Sequence, residues 1–143
     1  MSMFTYTLSQ NVPAGQAVMF NNVLCCNKGY ILHENGSSVV TLRGAVNNRC
    51  DNKARYLVEF TGNIAIPEGG TVAPISVAIA KVGEAQLASQ AISTPAAAGD
   101  FNNVTSRYII EVPRGCCSYI SIENTSAEAI DVANAVLTID RIA

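Results

Sequence analysis

Hydrophobic and polar residues alternate with a period of two through most of the chain. Around the centre, Tyr56, Val58 and Phe60 fall on one side, whereas Arg55 and Glu59 fall on the other. Successive side chains of a β-strand point to opposite faces, so this alternation is typical of a strand with one buried face. The last segment of the chain shows the same pattern, which predicts that antiparallel strands dominate the fold.

Turn-forming residues separate these runs at short intervals, as in Pro67-Glu68-Gly69-Gly70. The pattern predicts strands at 4–8, 16–20, 22–26, 29–33, 37–43, 54–65, 71–82, 86–93, 104–112, 117–123 and 133–142, with one or two of these merging. Short, regularly spaced strands indicate a sandwich or barrel. The segment 83–91 is ambiguous because it holds good helix formers, but an edge strand agrees better with an all-β chain.

The composition is unusually apolar for a chain of one-domain length. Hydrophobic residues make up 49% of the 143 residues and charged residues only 14%, against roughly 25% charged in soluble domains. The predicted strand 71–82 is apolar on both faces, which requires a cover on each face. A neighbouring subunit is the first interpretation, and a cover within the same chain is the alternative.

Several classes of partner find no support in the sequence. No run approaches the roughly 18 apolar residues that span a bilayer, and the N-terminal segment lacks the features of a secretory signal. We therefore expect a chain made in the cytoplasm, without a membrane partner. The nine Lys and Arg are scattered, and their tightest group, Arg49, Lys53 and Arg55, is interrupted by Asp51. This scatter predicts no nucleic-acid partner.

The five cysteines occur as two vicinal pairs and a single residue: Cys25, Cys26, Cys50, Cys116 and Cys117. Their spacing lacks the pattern of a zinc site, and no metal or cofactor is predicted. The odd number of cysteines favours reduced thiols that act as small hydrophobic residues. A disulfide between the two pairs, or across subunits, is the alternative.

Catalytic candidates are few. His33 precedes Glu34, but side chains at adjacent strand positions diverge, and no Ser or Cys forms a nucleophile motif with them. A hairpin histidine is the simpler interpretation, and we predict that the chain is not an enzyme. A hydrolase would require a deep pocket that holds His33 and an acid together.

Seven phrases occur in order over nearly the whole chain: VPAGQAVMFNNVLC, GYILHENGSSVVTLRG, ARYLVEFTGNIAI, TVAPISVAIAKVGE, SRYIIEVPRG, YISIENTS and AVLTIDRIA. Together they resemble the bacterial and phage branch of the tumour-necrosis-factor/complement globular-head superfamily, and in particular the C-terminal domain of collagen-like spore-surface glycoproteins. Two features depart from that pattern. Ala54-Arg55 replaces the usual glycine before the aromatic strand, and no collagen-like stalk precedes the domain.

The resemblance implies an antiparallel two-sheet jelly roll of about ten strands that packs as a threefold homotrimer, with its termini close together. The jelly-roll domain is expected at 10–143, after an N-terminal segment at 1–9. The expected trimer interface comprises apolar strand residues: Tyr56, Phe60, Ile75, Val77, Ile79, Leu137 and Ile139.

Two functions follow as expectations. In the first, the chain is a trimeric bacteriophage capsid decoration or head-fibre protein on the virion surface. Its N-terminal segment would dock to the major capsid protein or a fibre partner through Met3, Phe4 and Tyr6. In the second, it is a cell- or spore-surface adhesive module that binds glycans through the loops 44–53 and 94–103. The candidate residues in those loops are Asn47, Asn48, Arg49, Asn102 and Asn103.

Overall fold

The computed structural model describes residues 2–23, 29–34, 36–44, 46 and 52–142. The strands are β1 (Ser2–Tyr6), β2 (Gln10–Val12), β3 (Asn22–Val23), β4 (Ile31–His33), β5 (Val40–Arg43), β6 (Lys53–Ala65), β7 (Ile75–Lys81), β8 (Glu84–Ala85), β9 (Ala91–Ser93), β10 (Asn102–Pro113), β11 (Cys117–Asn124) and β12 (Ile130–Arg141). One short 3-10 helix, Leu87–Ser89, lies between β8 and β9.

The strands form two antiparallel sheets. In the first sheet the order is β10–β6–β12–β1–β3, with β2 also paired to β12. In the second sheet the order is β4–β5–β11–β7–β8, with β9 also paired to β7. The chain is therefore an all-β jelly-roll sandwich, which confirms the predicted fold class.

The core lies between the two sheets and is filled by the alternating side chains of their inner faces. Five large side chains of this core are at most 1% exposed: Phe4, Tyr56 and Phe60 from the first sheet, and Ile79 and Ile122 from the second. Burying a side chain of this size contributes roughly 1.5–3 kcal/mol relative to leaving it exposed. The period-two pattern of the sequence therefore corresponds to the inner faces of this sandwich.

Strand β7 is covered on both faces within one chain. Every residue from Ile75 to Ala80 is buried. Ile75 and Ile79 belong to the core, and the edge of the strand is met by β8, β9 and the 3-10 helix. There the Ile79 amide donates to Ser89 Oγ at 2.9 Å. The prediction that a neighbouring subunit covers this strand is wrong, because the chain supplies the cover itself.

Two predicted strands take other forms. The segment 16–20 makes one isolated bridge, between Ala17 and Glu123. Beyond it, the side chain of Gln10 bonds both the amide and the carbonyl of Met19, each at 3.0 Å, in place of a neighbouring strand. The segment 86–93 bends through the 3-10 helix, so its helix-forming composition is expressed as a single turn between two short strands.

Both termini lie at one end of the sandwich, which we call the terminal end. There Ser2 pairs with Ile139, and Arg141 pairs with Tyr56. The opposite end, where β6 finishes at Ala65 and β10 begins, is called the far end. The expected proximity of the termini is therefore present in the register of the first sheet.

The terminal end is closed by backbone bonds around Gly44. Its amide donates to the Cys116 carbonyl at 2.7 Å, and its carbonyl accepts from the Gly115 amide at 3.0 Å. The Tyr56 hydroxyl donates to the neighbouring Arg43 carbonyl at 2.5 Å. Burial raises the pKa of this hydroxyl, and the nearby Arg141 opposes the shift. The bonds of Gly44 extend the pairing of the second sheet, and the Tyr56 bond joins the two sheets at this end.

We predict that Gly44→Ala destabilises the protein. A Cβ at this position would lie 1.9 Å from the Pro113 carbonyl oxygen, which is backbone and has little freedom to move. The expected loss in the free energy of unfolding is about 3 kcal/mol, at the upper end of ordinary overpacking effects. Urea unfolding measures it. Gly29→Ala is the matched control because a Cβ there meets nothing within 4 Å, and equal losses in the two variants would contradict the prediction.

Candidate interaction surface

The outward face of the first sheet carries an apolar patch where β6 and β10 pair. Leu57 lies directly opposite Ile109 in the register. Ile142 follows β12 and donates its amide to the Arg55 carbonyl at 2.9 Å, which places it beside the same strand. Ile109 is 50% exposed and Ile142 is 47% exposed. With Tyr108, these residues line a shallow depression of about 780 Å³, which we call the β6–β10 face.

Charged residues of both signs surround this apolar centre. On β6, Arg55 and Glu59 lie opposite Glu111 and Arg107 of β10. Arg55 Nε donates to Glu111 Oε1 at 3.1 Å, and Lys53 Nζ donates to Glu111 Oε2 at 2.7 Å. The rim therefore combines oppositely charged cross-strand pairs and presents no field of a single sign.

The Glu111 carboxylate is the most strongly engaged acidic group of this rim. Hydrogen bonds from Lys53 and then from Arg55 hold its pKa below the usual value. The site is solvent-exposed, so the pairs contribute little to global stability. Their effect is to fix the side chains around the apolar centre in one arrangement.

Three asparagines form a row across the same face toward the far end. Asn103 Nδ2 donates to Asn63 Oδ1 at 3.1 Å, and Asn63 Nδ2 donates to Asn134 Oδ1 at 3.2 Å. Asn134 lies at the irregularity of β12 with a φ of 53°, a left-handed conformation that asparagine tolerates well. The row links β10, β6 and β12 through side chains in addition to their backbone ladder.

The residues predicted for the trimer interface occupy a different place. All seven belong to the buried core of a single chain: Tyr56, Phe60, Ile75, Val77, Ile79, Leu137 and Ile139. A second subunit has no access to these side chains, so their assignment to subunit contacts is corrected. Alternation in the sequence identified the apolar side of each strand, and that side is the one that closes the sandwich. The signal that identifies the outward patch is weaker: Leu57 and Ile109 are apolar residues at otherwise polar positions.

The N-terminal segment is part of the sandwich and not a separate arm. Residues Ser2–Tyr6 form β1, which pairs with β12 on one side and β3 on the other. Phe4 is fully buried, and Met3 and Tyr6 are half-buried. The prediction that Phe4 docks to a partner is wrong, since Phe4 is part of the core, whereas docking through Met3 and Tyr6 stays a prediction.

The strands that flank the two loops predicted to bind glycans place them at different ends of the sandwich. The described residues Gly44 and Lys53 on either side of the first loop lie at the terminal end, whereas the loop 94–103 leads into β10 at the far end. Asn47, Asn48 and Arg49 lie outside the described residues. Asn102 donates to Ser93 Oγ at 3.0 Å, while Asn103 belongs to the asparagine row on the outward face.

His33 and Glu34 both line a shallow groove of about 460 Å³ on the second sheet. The ring of His33 packs against Phe4 with centroids 4.9 Å apart. Its Nε2 lies 2.9 Å from the Ser37 carbonyl oxygen, within hydrogen-bond distance. Its Nδ1 is buried and has no hydrogen-bond partner among the described residues. Neither nitrogen is positioned to act as a base toward a substrate in the groove.

Cys116 and Cys117 are free and exposed at the start of β11, so they are not packed as core hydrophobic residues. The other three cysteines, Cys25, Cys26 and Cys50, lie outside the described residues. Among the residues that are described, no group of three or more His, Cys, Asp or Glu side chains is arranged to hold a metal ion. Within the same residues, no helix has the length and apolar character that crossing a membrane requires.

Two solved structures superpose on the whole sandwich. The globular domain of a zebrafish complement 1qA protein superposes with a TM-score of 0.62 at 9% identity, covering 99% of this chain and 96% of that one. Murine APRIL superposes with a TM-score of 0.57 at 11% identity, covering 96% and 97%. No family model and no curated protein sequence matches. The chain therefore has the same jelly-roll fold as these two proteins, which is the fold that its sequence resemblance implied.

We predict that Glu111→Gln reduces stability at neutral pH and that this difference disappears in acid. The pKa of Glu111 is lower in the folded state than in the unfolded state, where it is about 4.3. Its carboxylate therefore contributes to the free energy of unfolding at a pH above about 4.3, and this contribution is lost as the pH falls through the folded-state pKa. Urea midpoints of wild type and variant, measured from pH 7 downward, test this. High salt is the control, since screening reduces exposed ion pairs. A difference that grows toward low pH would contradict the prediction.

Proposed function

We propose that the chain is a non-enzymatic structural protein that assembles as a homotrimer and decorates a larger assembly, in the first instance a bacteriophage capsid or head fibre. The observation that carries this proposal is the β6–β10 face. It combines an apolar centre, in which Ile109 and Ile142 are exposed and Leu57 is half-buried, with a rim of paired charges. Exposed apolar patches rimmed by polar residues mark sites of protein association.

A second copy of the chain suits this face better than a strongly charged partner does. Arg55 and Arg107 are accompanied by Glu59, Glu111 and Asp140 on the same face. Such a face can meet a surface of a second copy without a net charge barrier, and its apolar centre is removed from water on contact. The low overall content of charged residues, 14%, agrees with a surface that is partly covered in the assembled state.

A closed ring is the form of association that protects such a face without producing a filament. In a ring of three, the β6–β10 face of each copy packs against a different surface of the next copy, so each subunit buries this face and the surface that receives it, and the rest of each sandwich stays exposed. A ring of three also matches the local threefold positions of an icosahedral shell, where one trimer touches several capsomers. These considerations support the capsid-decoration role over a solitary binding module.

The first test replaces the centre of the face. Ile109→Lys places a charge where a second copy would pack, and we expect it to convert the trimer to a monomer at micromolar concentration in sedimentation velocity. Burial of an unpaired charge in an interface costs several kcal/mol, which corresponds to at least a hundredfold loss of affinity. Ile92→Lys is the matched control, because Ile92 is 63% exposed on β9, away from the face.

Two results would overturn the assembly. One is a wild-type chain that sediments as a monomer throughout the micromolar range. The other is an Ile92→Lys variant that dissociates as readily as Ile109→Lys. Circular dichroism of each variant verifies the sandwich, so that a loss of mass reports association and not unfolding.

The second test concerns the virion. We expect mass spectrometry of purified virions, from a phage that encodes this chain, to find it in a fixed ratio to the major capsid protein. Mild removal of the chain should lower the temperature at which the shell releases DNA. A virion preparation that lacks the chain would exclude the capsid role while leaving the trimer intact.

A further inference from the structure

Basic side chains that are scattered in the sequence meet at the terminal end of the sandwich. Seven Lys and Arg fall within the described residues, and only Arg107 lies near the middle of its strand. The other six lie at strand ends or turns of the terminal end: Arg43, Lys53, Arg55, Lys81, Arg114 and Arg141. Three acidic residues accompany them: Glu84, Glu111 and Asp140.

The far end has the opposite character. Five acidic residues lie there, at the strand ends and turns opposite the termini: Glu68, Asp100, Glu123, Glu128 and Asp131. No Lys or Arg accompanies them in the part of the chain that the structure describes. The net charge of the whole chain is only −2, so the segregation of charge, and not its total, is the distinctive property.

The basic residues form a defined surface at the junction of the two sheets. Lys53 and Lys81 line a small cavity of about 280 Å³ with Glu111, Asn52 and Pro113. Lys81 Nζ donates to the Glu111 carbonyl at 2.8 Å, while Lys53 Nζ binds the Glu111 carboxylate at 2.7 Å. Glu111 therefore anchors cations from both sheets at the same opening: its carboxylate holds Lys53 and Arg55 of the first sheet, and its backbone carbonyl holds Lys81 of the second.

We propose that this basic terminal end is the docking surface for an acidic protein surface, with the acidic far end facing away. An ordered cluster of Lys and Arg around one carboxylate is complementary to the carboxylates of a partner and increases the rate of encounter. Glu84, Glu111 and Asp140 interrupt the basic surface. A nucleic-acid backbone favours a continuous basic stripe, so a protein partner with side chains of both signs fits better.

This inference deepens the proposed function, because it names the surface through which the chain would dock to its partner. It does not depend on the trimer. A monomer would present the whole end. In a trimer Arg55 and Glu111, which also line the β6–β10 face, would lie at the edge of the subunit contact, whereas Lys81 lines the neighbouring opening.

The test uses the full chain on a biosensor coated with poly-L-glutamate, at low and at physiological salt. We expect binding that Lys53→Gln weakens about threefold to tenfold, with a steeper loss at higher salt. The matched control is Gln16→Glu, which changes the net charge by the same amount at the exposed far end. We expect that control to change binding less than twofold.

Equal weakening in Lys53→Gln and Gln16→Glu would overturn the proposal, because binding would then follow net charge and not the terminal end. Tighter binding to a DNA duplex than to poly-L-glutamate would overturn it in favour of a nucleic-acid surface. Sedimentation velocity on the same samples separates the two ideas. If the chain is a monomer whose binding still depends on Lys53, the proposed trimer is wrong and the docking surface stands. If the chain is a trimer that does not bind poly-L-glutamate, the docking surface is wrong and the trimer stands.

Discussion

The pairing of β6 with β10 on one side and β12 on the other is the constraint on which the rest of the structure depends. It aligns three long strands that are distant in sequence, so that their alternating residues produce one apolar face. That face can be buried only if the second sheet lies across it, which brings Ile79 and Ile122 against Tyr56 and Phe60. Removing this apolar area from water is the main favourable contribution to folding.

Because the core closes within one chain, the outer surfaces are available for contacts. The pairing that buries Tyr56 turns its neighbour Leu57 outward, directly opposite Ile109. The same register places Lys53 beside Pro113 at the terminal end and Asp131 beside Ala65 at the far end. An apolar side face and two oppositely charged ends are therefore direct consequences of one strand alignment. The proposed association between copies would use the first feature, and the proposed docking to an acidic partner would use the second.

The sequence predicted the fold class and most strands, since alternation such as Tyr56, Val58 and Phe60 depends on local burial alone. It did not distinguish the inward side of a strand from a subunit contact, because both require the same apolar residues. Nor did it reveal the charged ends. Lys53 and Lys81 are separated by 28 positions of sequence, and only the topology brings them to one opening. The buried cover of β7 also depends on tertiary structure, since the segment that provides it has helix-forming residues.

Hydrogen–deuterium exchange of the wild-type chain at two concentrations tests most directly whether a self-contained sandwich associates through the β6–β10 face. β10 is an edge strand of the first sheet, so association should slow exchange there. We predict that peptides covering 102–113 exchange more slowly at high concentration, while those covering 31–43 on the second sheet remain unchanged. Loss of protection throughout the core on dilution, or a change confined to 31–43, would contradict the account.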